Sequence, residues 1–339
     1  MRILEVSRYK NNFADHQLPF VTEQGEAIAQ ELRKVDSRKS IVDSEPPAVE
    51  YFLVKGNYIT AVKALKKKIQ EFKPDIVHAH YGLSAITAEL QSQVPVVTTF
   101  HNGETHHWWV NLMTSLMSLR AKHVIYVAPH IRDLSYFKAK NYSIIPCGVP
   151  MEEMVITPKE EARRQLGWDP NKKYILFGGA FSNTRKNYEL LRQAVELVKS
   201  EELRVKSIEV VEMKGLSRAE CVLRMCGADL FALPSHSEGS PQALKEAMAV
   251  NCPCLATDIA DVRELFGDVP GHFILRNPRK THERWDADEK SLDEMVELLR
   301  EALRFEGRTK GRERILALGL SNEQVAQRIV KIYEQVLNK

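Results

Sequence analysis

Two carboxylates, Glu238 and Glu246, stand eight positions apart in a run reading Pro-Ser-His-Ser-Glu-Gly-Ser-Pro-Gln-Ala-Leu-Lys-Glu from Pro234 onward. The apolar run Ala228 to Leu233 reads as a buried strand, Glu238-Gly239-Ser240-Pro241 as a tight turn, and Gln242 to Ala249 as a helix. One carboxylate then sits in the turn at the carboxyl end of a strand. The other lies about two turns along the helix on a similar face, by the 3.6-residue period. A ligand resting over the helix start would meet both. Ser240-Pro241 opens a helix well, since proline is tolerated in the first turn, and the unpaired amides there suit an anion such as a diphosphate. Taken alone, the two glutamates read more readily as a capped helix start with a second, solvated carboxylate, because surface carboxylates are common.

The elements that must position these residues alternate between strand and helix. Ile3 to Ser7, Val49 to Val54, Ile76 to His80, Val94 to Phe100, His123 to Tyr126 and Tyr142 to Ile145 read as one series of strands. Tyr174 to Gly179, Val205 to Val211, Ala228 to Leu233, Cys252 to Thr257 and His272 to Leu275 form a second. Near-continuous apolar strands imply parallel sheets covered on both faces, hence two doubly wound α/β domains. The expected organisation is a first domain over residues 1–147, a second over 148–320, and a final helix over 321–339 that returns to the first, with Pro146 to Pro158 as the hinge. Ligands in such sheets sit at the carboxyl ends of the strands, so two facing domains share a site between them. A length of 339 residues suits two domains that each bury a core.

No apolar run is long enough for a membrane span and the first strand starts at Arg2, so a cytoplasmic protein is expected. The five cysteines suit reduced packing residues, and Cys252-Pro253-Cys254 has the wrong spacing for zinc; no metal site is expected. Dinucleotide binding is disfavoured, because no Gly-x-Gly-x-x-Gly follows any strand.

Several motifs recur in a known order. They are Pro74-Asp75-Ile76-Val77-His78-Ala79-His80, Thr98-Thr99-Phe100-His101-Asn102-Gly103, Pro146-Cys147-Gly148-Val149, Phe177-Gly178-Gly179 with Arg185-Lys186-Asn187, and the run holding Glu238 and Glu246. Together they resemble the retaining glycosyltransferases of GT-B fold, glycosyltransferase family 4 (glycosyl transferases group 1), whose signature is two glutamates separated by seven residues. The resemblance spans the chain. It implies two Rossmann-like domains facing a central cleft and transfer of a hexosyl or other glycosyl group from a nucleotide sugar, a UDP- or GDP-sugar, to a glycan or lipid-linked acceptor. It implies no further cofactor, Glu246 as ribose ligand and Glu238 as sugar ligand. Lys186 and Arg185 would meet the diphosphate, with Gly239, Ser240, Pro241 and Leu244 around the donor and Met213 and Lys214 near the base. A lone strand-end histidine serves structure more often than chemistry, but the family's matching position reaches the donor sugar, which makes His101 the catalytic candidate of the first domain beside Lys186 and Glu238. Asn11, Asn12, His106 and Trp108 fall in loops on the acceptor side. His78 and His80 read as structural, with at most one facing the site.

This sequence departs from the family pattern at three places. Ala180 stands where an arginine is usual, Arg8 to Phe13 replaces a Gly-Gly turn, and Ala260-Asp261 replaces another Gly-Gly pair before Glu264. Arg185 is the candidate for the missing charge. A sugar-nucleotide epimerase of the same architecture and a non-catalytic nucleotide-sugar-binding subunit remain open as alternatives.

Residues 1 to 150 hold 18 Lys plus Arg against 14 Asp plus Glu, and much of the excess is Lys63, Lys66, Lys67, Lys68 and Lys73. That segment reads either as a solvated helix face or as a peripheral contact with anionic lipid at the inner face of a membrane. Nucleic acid is not expected, since a net charge of +3 makes no dominant basic surface.

Overall fold

Strands such as Val96–Phe100 and His123–Tyr126 show no alternation of polar and apolar residues because helices cover both faces of their sheet. The computed structural model of the protein describes residues 1–8, 19–39, 48–102, 107–201, 207–277, 288 and 290–338. The chain divides into two compact units, Met1–Gly148 with Leu320–Lys339, and Val149–Gly319.

The first unit runs β1 (Arg2–Arg8), α1 (Pro19–Lys39), β2 (Ala48–Val54), α2 (Ala61–Phe72), β3 (Ile76–His80), α3 (Gly82–Glu89), β4 (Val96–Phe100), α4 (Trp108–Ser118), β5 (His123–Tyr126), α5 (Pro129–Leu134) and β6 (Tyr142–Ile144). Its strands form one parallel sheet in the order β2-β1-β3-β4-β5-β6. On one face Leu65, Ile69 and Phe72 of α2 and Ala85 and Ala88 of α3 pack on Leu4, Val6, Val77 and Ala79.

The second unit runs α6 (Lys159–Leu166), β7 (Lys173–Phe177), α7 (Tyr188–Glu201), β8 (Ile208–Glu212), α8 (Arg218–Gly227), β9 (Leu230–Leu233), α9 (Gln242–Ala249), β10 (Cys254–Thr257), α10 (Val262–Phe266), β11 (His272–Leu275), α11 (Ser291–Arg304) and α12 (Gly311–Ala317). Its parallel sheet has the order β11-β10-β9-β7-β8, with Leu191, Val195, Leu299 and Leu303 packed on Ile175, Phe177, Leu230 and Leu255. Asp229 fastens the start of β9: its carboxylate accepts from Lys159 Nζ at 2.7 Å, Arg163 Nη2 at 2.5 Å and the Tyr174 amide at 2.7 Å.

The last helix, α13 (Asn322–Leu337), belongs to the first unit, where Val325, Ile329, Ile332 and Tyr333 pack with Ile28 and Leu32 of α1 on Ile3, Ile76 and Val97. Ser321 and Gln324 form a capping box at its start. Gly148 is required by close approach, since a Cβ there would lie 2.8 Å from the Asn322 Cα.

Several strands begin later than the apolar runs suggest. β4 starts at Val96 rather than Val94, because Pro95 has no N–H for a ladder and the Gln91 side chain takes both the amide and the carbonyl of Val94. β10 starts at Cys254 beyond Pro253, and Ala228 is the C-cap of α8 rather than the first residue of β9.

Candidate active site

In the second unit the carboxyl ends of β7 and β9 bring the expected site residues together. β7 stops at Phe177, and the Gly178 amide still pairs with the Ala232 carbonyl at 3.0 Å. Gly179 then lets the chain pass close to Lys186, whose Cγ would lie 3.1 Å from a Cβ at that glycine. A single 3₁₀ turn, Thr184–Lys186, follows; the Asn183 side chain caps it through the Arg185 amide at 3.2 Å, and Asn187 closes it at φ 56°. The His236 amide donates to the Arg185 carbonyl at 2.8 Å, which ties this turn to the β9–α9 loop. Across that tie Lys186 Nζ lies 2.6 Å from Glu238 Oε1, with side-chain exposures of 14% and 8%. Burial pushes the Glu238 carboxyl up, but Lys186, with Arg185 behind it, outweighs burial and holds its pKa below the ordinary value.

Farther along α9, Glu246 is paired with Arg218 of α8 at 2.9 Å, and Arg218 also reaches Glu153 at 3.3 Å. Burial here prevails over Arg218 and Lys245, so the Glu246 pKa lies above its ordinary value. Lys245, the residue before Glu246, is fully buried. Its ammonium acts on Glu246 and on Asp261, a second buried carboxyl that burial lifts to about 6. Ser240 Oγ donates to Asp261 Oδ2 at 2.6 Å, so Asp261 fixes the loop that leads into α9. The preceding Ala260 has φ 51°, a left-handed conformation that a glycine adopts without strain.

The remaining donor-side candidates divide by what they can offer. Gly239 and Ser240 are half-buried in the turn. Pro241 is the N-cap of α9 rather than its first residue and has no N–H to give. Leu244, in the first turn of α9, is wholly in the core, so its side chain is not available to a ligand. The Met213 amide donates to the Gly179 carbonyl at 3.0 Å, which puts Met213 and Lys214 next to the glycine turn. The amides at the start of α9 stand beside the Lys186–Glu238 pair, a setting for an anion bordered by a cation.

In the first unit His101 follows β4 and stands among aromatic rings: Phe20 at 4.9 Å, Tyr81 at 4.8 Å and His80 at 5.4 Å between centroids. It belongs to a buried hydrogen-bonded chain, and its Nδ1 lies 3.7 Å from Cys147 Sγ. Tyr333 Oη and His78 Nδ1 lie 2.6 Å apart, His78 Nε2 and Thr99 Oγ1 2.7 Å, Glu5 Oε2 and His80 Nε2 2.7 Å, and His80 Nδ1 and His101 Nε2 3.2 Å. His78 and His80 share one face of β3, as residues two apart on a strand must, and both are fully buried among protein partners. Burial pushes the Glu5 carboxyl up, yet the two histidines overcome it and hold the pKa at about 2; burial and His78 together lower that of His80. Glu5, His78 and His80 are the one cluster among the described residues whose ligand atoms lie within metal-binding distance of each other, all within 4.8 Å, and their nitrogens already have protein partners.

Trp108 is exposed at the first turn of α4, while Asn11, Asn12 and His106 lie outside the described residues. Sequence reasoning did not single out Glu5, Arg218 or Lys245, and it named Asp261 only as part of the Ala260-Asp261 pair that replaces a Gly-Gly. Of these only Arg218 had a local signal, since Ser217 and Glu220 mark the start of its helix.

Residues 14–153 match the family model described as Glycosyltransferase Family 4, and residues 172–299 match the one described as Glycosyl transferases group 1. A Bacillus subtilis protein named a teichuronic acid biosynthesis glycosyltransferase, TuaC, is 25% identical over a stretch covering 61% of this chain and 58% of that protein, so the match spans less than two thirds of the relative. Among solved structures, sucrose-phosphate synthase from Thermosynechococcus elongatus superposes with a TM-score of 0.71 at 17% identity, covering 99% of each chain. HepE of Anabaena, solved with UDP and glucose, gives 0.70 at 14% identity, covering 99% of this chain and 100% of that one. These neighbours share the GT-B architecture of two parallel-sheet, Rossmann-like domains.

Proposed function

The chain belongs to glycosyltransferase family 4, and from that premise we propose that it transfers a sugar from a nucleotide-sugar donor to a glycan or lipid-linked saccharide, with retention at the anomeric carbon. The observation that carries this reading is the Lys186–Glu238 pair, 2.6 Å apart, at the strand ends beside the first-turn amides of α9. In the proposed arrangement the diphosphate lies over those amides and against Lys186, with Arg185 adding charge. Negative charge grows on the diphosphate as the glycosidic bond breaks, and a cation already in place lowers that barrier without reorganising. Glu238, kept ionised, accepts hydroxyl hydrogens of the sugar. Glu246 exchanges its bond with Arg218 for the ribose hydroxyls, and the backbone around Met213 and Lys214 borders the base. His101 is the catalytic candidate of the first unit, oriented by His80 and Glu5. The acceptor oxygen attacks from the face the nucleotide leaves, its proton passes to the departing phosphate, and no metal ion is required because the two cations carry the leaving-group charge.

A uridine donor is the first to try, since the solved HepE holds UDP and glucose. Thermal stability measured against a panel of UDP- and GDP-sugars would identify the donor, because a ligand that binds only the folded chain raises its melting temperature by mass action. Glu246→Ala should weaken the best nucleotide by about 1–3 kcal/mol, the usual loss for a charged hydrogen bond, and Glu238→Ala should chiefly impair discrimination among sugars. Two variants indistinguishable from the parent toward every donor would displace the site. Turnover that is abolished by a chelator and restored by manganese, or a product of inverted configuration, would overturn the chemistry.

A further inference from the structure

Helix α4 is inverted relative to an ordinary surface helix. Its buried residues are Val110, Asn111, Thr114, Ser115 and Ser118, mostly small or polar. Trp108, Trp109, Met113, Leu116 and Leu119 point outward, with Trp108 69% exposed. Positions 109, 113 and 116 follow the i, i+4, i+7 spacing, so the outward residues make one stripe. The inward polar groups are satisfied locally: Ser115 Oγ donates to the Asn111 carbonyl at 2.6 Å, Ser118 Oγ to Ser115 at 2.7 Å, and Asn111 Nδ2 to the Leu134 carbonyl at 2.8 Å. Hydroxyls folded back onto their own helix behave as small groups in packing, which lets α4 sit close against α3. The large apolar residues are left on the outside, and a contiguous exposed stripe with two tryptophans marks an interaction site.

The surroundings say what kind of partner fits. The helix itself contains no charged residue, but Arg120 and Lys122 follow its end, and the exposed Tyr136 and Phe137 beyond Leu134 are followed by Lys138 and Lys140. On the other side of α3, in the same layer of helices, α2 turns Lys63, Lys66 and Lys67 away from the sheet. An uncharged apolar stripe with aromatic residues, bordered by lysine and arginine, matches an anionic bilayer surface in both chemistry and charge. We propose that α4 rests on anionic phospholipid, with Trp109, Met113 and Leu116 among the upper acyl chains and the neighbouring cations at the headgroups. This deepens the reading of a lipid-linked acceptor and moves the contact away from α2. The large apolar residues of α2, Leu65, Ile69 and Phe72, are buried in the unit's own core, and only Val62 and Ala64 are less covered, so α2 supplies mainly charge.

The test is sedimentation of the full chain with phosphatidylcholine vesicles, with and without phosphatidylglycerol, together with quenching of tryptophan fluorescence by brominated lipid. Binding should require phosphatidylglycerol and quench the fluorescence. Met113→Ser with Leu116→Ser should lower partitioning about tenfold or more while leaving the melting temperature unchanged, since both side chains are exposed. Trp109→Ser should remove part of the quenching. Absence of binding to the phosphatidylglycerol vesicles, binding that ignores the double substitution, or a stable dimer that the substitution dissociates would each overturn the proposal. The vesicles carry no glycan, so the surface is tested apart from the reaction: a chain that binds them yet glycosylates only water-soluble saccharides keeps the surface and corrects the acceptor.

Discussion

Replacing Lys186 with methionine separates two roles that one ammonium could have. At 2.6 Å from Glu238, and with an effective dielectric constant of about 20, the gross attraction is about 6 kcal/mol. Much of that offsets desolvation, so the measured cost of breaking such a buried pair is about 3–5 kcal/mol, mainly the uncompensated carboxylate left behind. Lys186→Met should therefore lower the unfolding free energy by that amount near neutral pH. The sign of the pH dependence should change as well. In the parent the Glu238 pKa is depressed, so its contribution is present above the ordinary carboxylate value and lost as pH falls through the depressed one. Without Lys186 burial dominates, the pKa rises, and the variant should gain relative stability on mild acidification. Turnover should fall by about 10²-fold or more if the ammonium also meets the diphosphate.

The decisive arm is the double variant Lys186→Met with Glu238→Gln, which removes both charges. Stability should return to within about 1–2 kcal/mol of the parent, because a neutral pair carries no uncompensated charge. Turnover with the best donor should stay low. Urea denaturation at several pH values and initial rates on matched samples provide both readouts. A double variant that recovers turnover together with stability would refute the assignment of Lys186 to the leaving group and reduce it to a counter-ion for Glu238.

Three further substitutions test the supports of the site. Glu5→Gln should destabilise the first unit and lower turnover through the disordering of His80 and His101; because the Glu5 pKa sits at about 2 against an ordinary 4.5, the parent's advantage should hold above that ordinary value and fade as pH falls toward 2. Tyr333→Phe, which strips His78 of one partner, should cost about 1–3 kcal/mol, and unchanged melting temperatures for both variants would show the histidine chain to be incidental. Asp229→Asn should cost about 3–5 kcal/mol near neutral pH by unpairing Lys159 and Arg163. Although burial opposes it, those partners hold the Asp229 pKa below 3.8, so the deficit should shrink in acid as the parent's carboxylate is protonated.

The parts of this structure legible in the sequence are those where one physical requirement dominates a short segment. The strands announce themselves because burial on both faces demands unbroken apolar runs, and α9 matches its expected span because Gln242 to Ala249 contains only good helix formers after a proline. Glu238 is legible as a candidate from its place in a glycine turn before a helix start, and Lys186 from the resemblance of its loop to the family's diphosphate-binding loop. What escaped detection depends on partners distant in sequence. Lys245, between Leu244 and Glu246, reads as a solvent-facing lysine until Asp261 is brought beneath it. Glu5 reads as an interruption of an apolar strand until His80 and His78 of β3 come within 2.7 Å and 3.5 Å of its carboxylate. The outward stripe of α4 was hidden for a different reason: periodicity identifies an apolar face but says nothing about which face the core takes, and here serines and a threonine took it.

The return of α13 to the first unit makes the second unit an insertion within the first. During synthesis the first sheet emerges with β1 to β6 complete but with Ile3, Ile76 and Val97 covered by α1 alone, and with His78 lacking Tyr333. The rest of the cover is translated only after all of Val149–Gly319. The unit encoded second can therefore finish folding first on the ribosome, while the unit encoded first waits with the part of its sheet face that α13 covers still exposed.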